Sequence, residues 1–119
     1  MIKKKITGIQ VLGYMETEDT ESLKNMEKVK STLNQLIKSF GLTEVGTFYY
    51  EFPGGGFTGV VSLIESHIAV HTWPELGALT LDVYLCNYTK DNSQICKDLF
   101  DKIAAEFTPS KISKRIIRR

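Results

Sequence analysis

The chain has 119 residues, of which 42% are hydrophobic and 24% are charged, and its 15 basic and 14 acidic side chains leave a net charge of +1. This length and balance fit one folded domain with its own core, and they exclude a disordered acidic chain and a strongly basic nucleic-acid coat. The chain has two cysteines, no signal-like apolar start and no apolar run near 20 residues, so we expect a cytoplasmic protein that does not cross a membrane.

The first predicted elements are a strand and a helix. A short β-leaning run over residues 3–13 predicts the strand. Apolar residues then recur at steps of three and four over residues 23–40, which predicts an amphipathic helix. Asp19 or Thr20 is the expected cap at its start, and Gly41 is the expected left-handed residue at its end.

The middle of the chain has the period of β-structure. Residues 45–52 and 78–84 each predict a strand, and residues 60–72 predict one strand or two, with polar residues 65–67 in the middle. The glycine-rich residues 53–56 break the first of these strands.

A second helix is predicted from about residue 93 to residue 107, followed by Pro109 and a basic, β-leaning segment over residues 111–119. The order β-α-β-β-β-α-β predicts one α+β domain over residues 1–119. We expect a two-layer sandwich in which both helices cover one face of an antiparallel sheet. The uncovered face then needs a cover, and a second copy of the chain is the simplest one.

The two histidines, His67 and His71, have the i, i+4 spacing of helical metal sites. Their neighbours indicate a strand, however, on which four residues span about 13 Å. Bonds of about 2 Å cannot join two rings that far apart to one ion, so no metal site is expected.

Three other features allow more than one interpretation. Residues 54–56 lack a nucleotide-binding pattern and are interpreted as a flexible turn. Cys86 ends a strand beside a polar loop, where a thiol can react, whereas Cys96 has the helical spacing of a packing residue. The basic segment over residues 111–119 is interpreted as a solvated end, and no nucleic-acid partner is expected.

Residues 65–75, ESHIAVHTWPE, closely resemble the processing and active-site segment of the prokaryotic S-adenosylmethionine decarboxylases. The resemblance extends upstream through Phe52, Pro53 and residues 56–61, and downstream through residues 82–86. The motif match therefore covers residues 52–86, and the element order fits the family over nearly the whole chain.

The resemblance implies a proenzyme that cuts itself between Glu65 and Ser66, leaving a β chain (1–65) and an α chain (66–119). Attack of the Ser66 hydroxyl on the Glu65 carbonyl, elimination and hydrolysis convert residue 66 into a pyruvoyl group, the cofactor of the family. By the same resemblance His71 is the base in this processing. Thr58 stands where the family usually has a serine that assists it.

The resemblance also implies roles in the mature reaction. Cys86 is the acid that returns a proton to the α-carbon after decarboxylation. Phe52 and Trp73 resemble the two rings that sandwich the adenine, and Glu75 resembles the carboxylate that holds the ribose hydroxyls. Asn87 differs from the family, which commonly has glycine at this position. The implied assembly is a homodimer with residues of two protomers in each site.

The sequence leaves three functions to compare. The first is pyruvoyl-dependent decarboxylation of S-adenosylmethionine, which supplies aminopropyl groups for spermidine. The second is the same chemistry on an amino acid such as ornithine or arginine. The third is a non-catalytic regulatory homologue, which would be expected to lack Ser66 or Cys86, and this chain has both.

Overall fold

Six antiparallel strands form one sheet in the computed structural model, which describes residues 6–87 and 90–119. Two helices pack on one face of this sheet, so the predicted α+β sandwich is confirmed. In chain order the elements are β1 (Gly8–Glu16), α1 (Met26–Ser39), β2 (Glu44–Glu51), β3 (Phe57–Leu63), β4 (Ser66–Trp73), a single 3₁₀ turn (Pro74–Leu76), β5 (Ala78–Cys86), α2 (Ser93–Ala105) and β6 (Lys111–Arg118).

The strands lie in the order β2-β3-β4-β5-β1-β6. Residues 60–72 contribute to two strands, β3 and β4, so the chain has one strand more than the predicted order. A tight hairpin through Ile64 and Glu65 separates them, and Glu65 has a φ of 60°. The polar residues 65–67 left one strand or two open in the sequence, and the structure has two.

Helix α1 begins later than predicted. Its N-cap is Asn25, whose side chain accepts a hydrogen bond from the Lys28 N–H at 3.1 Å, so the expectation of Asp19 or Thr20 is wrong. Leu23 misled the prediction, because it is fully buried in the preceding turn and continues the helical spacing of apolar residues. The predicted left-handed Gly41 is confirmed, with a φ of 71°.

The core lies between the helices and the sheet. Alternate strand residues point towards the helices, and α1 and α2 each turn an apolar stripe onto them. Neither helix in the described parts of the chain combines the length and the hydropathy that a bilayer span requires. The fully buried large side chains of this core are Phe57, Phe100, Phe107, Ile9, Met15, Leu23, Leu33, Ile68, Leu79, Leu81, Leu85 and Leu99.

Within residues 6–87 and 90–119 no helix packs on the opposite face of the sheet, and we call it the open face. The strand register gives it three rows of residues that cross all six strands, because neighbouring partners point to the same side of a sheet. Several of its apolar side chains are exposed, among them Phe48 at 66% and Tyr50 at 51%. The three rows are Tyr50–Thr58–His71–Thr80–Tyr14–Ser113, Phe48–Val60–Ala69–Asp82–Leu12–Arg115 and Gly46–Ser62–His67–Tyr84–Gln10–Ile117.

Cys96 is the packing residue that the sequence indicated, and it makes alkaline stability testable. Its thiol is fully buried and donates to the carbonyls of Ile9 and Val83 at 3.4 Å, and burial raises its pKa to about 11. The folded chain therefore keeps this proton at a pH where the unfolded chain loses it. The contribution of this protonated thiol to the free energy of unfolding is therefore fully present below about pH 9, and it is lost as the pH rises towards 11.

We expect the free energy of unfolding to fall by about 1 kcal/mol more in the wild type than in Cys96→Ala between about pH 8 and about pH 10. Urea unfolding at the two pH values measures this difference. Equal pH slopes for the two proteins would contradict the assignment to Cys96.

Candidate active site

The turn between β3 and β4 holds the first group of candidate residues. Glu65 lies in the left-handed region of backbone conformation, which costs a non-glycine residue about 1–2 kcal/mol. Ser66 follows as the first residue of β4 and is half-buried. The Glu65–Ser66 peptide therefore lies in a strained turn, next to a hydroxyl that is held by the fold.

Cys86 joins this group from the end of β5. Its N–H donates to Ser66 Oγ at 3.0 Å, and its Sγ atom lies 3.9 Å from Glu65 Oε2. All three residues line a cleft of about 350 Å³ that Lys90 and Asn92 also border. The structure thus brings together three predicted site residues that are up to 21 positions apart in the sequence.

Thr58 and His71 form a second group on the open face. They are cross-strand partners on β3 and β4, and Thr58 Oγ1 lies 3.0 Å from His71 Nδ1. Asp82 lies nearby on β5. Burial raises the pKa of its carboxyl, and the charges of His71 and His67 partly oppose that shift. The threonine hydroxyl fixes one ring nitrogen of His71 and leaves the other available for proton transfer.

These two groups do not meet within one chain. Ser66 and His71 are five residues apart on the same strand, β4, which places them about 16 Å from each other. A strand cannot fold back on itself to close that distance. His71 of a chain is therefore too far away to take a proton from residue 66 of the same chain.

Phe52, Trp73 and Glu75 form a third group, which lines a pocket of about 240 Å³. The pocket floor is fixed by Thr72, whose hydroxyl donates to the Leu23 carbonyl at 2.7 Å and accepts from the Phe57 N–H at 3.0 Å. The rings of Trp73 and His71 lie 6.3 Å apart between centroids, so this pocket adjoins the His71 group.

The glycine-rich turn beside this pocket has a structural reason. The Phe52 N–H donates to the Gly56 carbonyl at 2.7 Å, and a Cβ atom at Gly56 would lie only 2.8 Å from the Thr72 carbonyl oxygen. Gly54 and Gly55 have φ values of 100° and 102°, which favour glycine. The turn brings Phe52 up to Trp73 and leads into strand β3, not into a helix.

Sequence reasoning missed one residue of the first group. Asn92 borders the cleft and donates from Nδ2 to the Cys86 carbonyl at 2.8 Å. The sequence marks it only as one polar residue of a loop. Asn87, noted as a departure from the family, accepts from the Asn92 N–H at 2.8 Å.

Comparison with known proteins gives one consistent result. The family model described as S-adenosylmethionine decarboxylase matches residues 10–119. A protein of Aquifex aeolicus named S-adenosylmethionine decarboxylase proenzyme is 36% identical over 115 residues, which are 97% of this chain and 82% of that protein. A Thermoplasma volcanium protein of the same name is 33% identical over 112 residues, covering 94% and 83% of the two chains.

The fold leads to the same group of proteins. A crystal structure of the adenosylmethionine decarboxylase from Aquifex aeolicus superposes with a TM-score of 0.85 at 32% sequence identity. The superposition covers 98% of this chain and 92% of the other.

Proposed function

The chain belongs to the S-adenosylmethionine decarboxylase family, and we propose that it cuts itself at Glu65–Ser66 and then decarboxylates S-adenosylmethionine. It is a carboxy-lyase of a family whose pyruvoyl cofactor comes from the chain itself. The observation that carries the proposal is the grouping of Glu65, Ser66 and Cys86 around one cleft.

The residues at the turn suit formation of this group. Ser66 Oγ attacks the carbonyl carbon of Glu65, so that a C–O bond replaces the peptide C–N bond and an ester forms. Loss of the α-proton of residue 66 then breaks its Cβ–O bond and leaves that oxygen in the new carboxylate of Glu65. Hydrolysis of the resulting dehydroalanine releases ammonia and leaves a ketone at residue 66. The strained conformation of Glu65 favours the first step.

In the mature enzyme the pyruvoyl group supplies an electron sink for loss of CO₂ from an α-amino acid. The residues of the three groups have separate tasks in the proposal. Cys86 delivers a proton to the α-carbon of the decarboxylated substrate from its place beside residue 66. Phe52 and Trp73 stack on the adenine, and the Glu75 carboxylate accepts hydrogen bonds from the ribose hydroxyls.

A homodimer completes the site in this proposal. Thr58 and His71 lie on the open face and about 16 Å from residue 66 of their own chain. A second copy covers the open face, including the exposed Phe48 and Tyr50, and sets the partner's His71 beside residue 66. Each site then takes the cleavage turn from one protomer, and the histidine with its adjoining aromatic pocket from the other.

We place this enzyme in the cytoplasm, where its decarboxylated product is an aminopropyl donor for spermidine synthesis. Cys86 and Cys96 are both free thiols, which suits a reducing compartment. No nucleic-acid or membrane partner forms part of the proposal.

A substrate panel tests the proposed activity. We expect the purified, cleaved protein to release CO₂ from S-adenosylmethionine and not from ornithine or arginine. The pocket of Phe52, Trp73 and Glu75 is the physical reason, because two aromatic side chains and a carboxylate suit an adenosine and not a short amine. Release of CO₂ from ornithine or arginine, but not from S-adenosylmethionine, would show that the substrate is one of those two amino acids.

The same assay on Trp73→Ala locates the adenosine. We expect KM for S-adenosylmethionine to rise about tenfold or more because stacking on this ring is lost, while self-cleavage continues. Leu76→Ala is the matched control, since this side chain is 70% exposed and lies in the neighbouring turn without lining the pocket. Equal KM values for the two variants would contradict the placement of the adenine.

A further inference from the structure

The backbone of Cys86 lies where the sheet ends on one side. The pairing of β4 with β5 stops at His67 and Tyr84, so the peptide groups of Cys86 have no strand partner on the β4 side. Two side chains take that place. Ser66 Oγ accepts from the Cys86 N–H at 3.0 Å, and Asn92 Nδ2 donates to the Cys86 carbonyl at 2.8 Å.

Asn92 is bound to Cys86 although it occupies the N-cap position of α2. An asparagine there ordinarily accepts a hydrogen bond from the first helical turn, which contributes about 1 kcal/mol. The Asn92 side chain makes no such bond, and its Oδ1 atom is buried without a hydrogen-bond partner among the described residues. Asp91 accepts a hydrogen bond at the start of α2 instead, because its Oδ1 atom lies 2.9 Å from the donating Ser93 N–H.

The backbone of Asn92 is fixed as well. Its N–H donates to Asn87 Oδ1 at 2.8 Å, and its carbonyl accepts the first α2 hydrogen bond from the Cys96 N–H at 2.9 Å. Asn92 therefore joins the end of β5 to the start of α2 through Cys86. The joining is rigid because α2 is anchored in the core by Cys96, Leu99 and Phe100.

Self-cleavage changes only one of the two bonds on Cys86. The Ser66 oxygen leaves with Glu65 when the Cβ–O bond breaks, so the Cys86 N–H loses the Oγ atom that was its acceptor. The hydrogen bond from Asn92 does not depend on residue 66 and persists. We propose that Asn92 is a positioning residue that holds Cys86 in place for proton delivery in the mature enzyme. The proposal rests on the proposed role of Cys86 as the proton donor.

Protonation at the wrong carbon changes residue 66 covalently. Cys86 delivers its proton to the substrate α-carbon. If the proton instead reaches the former ketone carbon of residue 66, the substrate nitrogen stays on the chain. Hydrolysis then leaves alanine at the start of the α chain, while the product departs as an aldehyde carrying an oxygen from water. No oxidant or reductant is consumed, since this exchange is a transamination. A looser Cys86 therefore raises the fraction of α chains that begin with alanine.

Asn92→Ser tests the proposal in the cleaved enzyme. Serine caps a helix as well as asparagine does but is too short to bridge to the Cys86 carbonyl, and it adds no charge. We expect kcat to fall about tenfold while KM stays within about twofold of the wild-type value. We also expect α chains that begin with alanine to accumulate. We also expect iodoacetamide to alkylate Cys86 about threefold faster or more, with Cys96 shielded in the core.

Asn25→Ser is the matched control, because it makes the same change at the N-cap of α1, far from the cleft in sequence and absent from its lining. Identical alkylation rates and kcat values for Asn92→Ser and Asn25→Ser would overturn the proposal. Asn92→Asp, which keeps the side-chain size but replaces the amide donor by a negatively charged carboxylate, decides the question if the serine variant does not fold. Because alkylation needs no substrate, a protein inactive on S-adenosylmethionine would defeat the proposed function and still answer whether Asn92 holds Cys86.

Discussion

The Ser66→Ala chain is expected to stay whole and to have no decarboxylase activity. Without the hydroxyl no ester forms at Glu65, and without the ester residue 66 never becomes the cofactor. Activity should fall by a factor of at least about 10⁶, since an enzyme without its electron sink approaches the uncatalysed rate. A denaturing gel and a CO₂-release assay measure the two effects on the same preparation.

The control for this variant is Ser31→Ala, a serine on the exposed side of α1. It should cut and turn over like the wild type. The Ser66 hydroxyl also accepts the Cys86 N–H, so the variant loses one hydrogen bond, an effect of about 1 kcal/mol that leaves the fold intact. A folded Ser66→Ala chain that still decarboxylates S-adenosylmethionine would show that the pyruvoyl mechanism is wrong for this protein.

Restored activity on mixing two inactive variants is the second large effect that we expect. His71→Ala alone should neither cut nor turn over, because a positioned base contributes about 10²–10⁴ to a proton transfer. When His71→Ala and Ser66→Ala are expressed together, half of the randomly paired dimers are mixed. Each mixed dimer has one site with Ser66 from one protomer and His71 from its partner.

About one quarter of the wild-type number of sites should therefore be active in the mixture, and about one quarter of the chains should be cut. The cut chains should all carry the His71→Ala substitution, because only these retain Ser66. Mass spectrometry of the fragments reads this directly. A mixture as inactive as its components would contradict the shared site. Activity of His71→Ala alone would show instead that His71 is not the base.

The sequence predicted the sheet-and-helix layers because the apolar periods are clear over most elements. It failed where a local signal was ambiguous. Leu23 continues the spacing of α1 without belonging to the helix, and the polar residues 65–67 left one strand or two open where the structure has β3 and β4. Both ambiguities concern element ends, where burial in the tertiary structure decides the outcome.

The candidate residues could be named from the sequence, but their grouping could not. Ser66 and Cys86 meet because β4 and β5 pair antiparallel and both reach the same end of the sheet. Ser66 and His71 are close in sequence yet lie apart, because a strand extends about 3.3 Å per residue. The role of Asn92 depends on where α2 starts relative to β5, which no local pattern encodes.

The intact mass of freshly expressed wild-type protein under denaturing conditions is the sharpest test of self-cleavage at Glu65–Ser66. We expect two fragments, residues 1–65 and 66–119, and an α chain whose first residue has no free amine because it has become a pyruvoyl group. A single uncut chain of 13.4 kDa, or an α chain that begins with an intact serine, would contradict it.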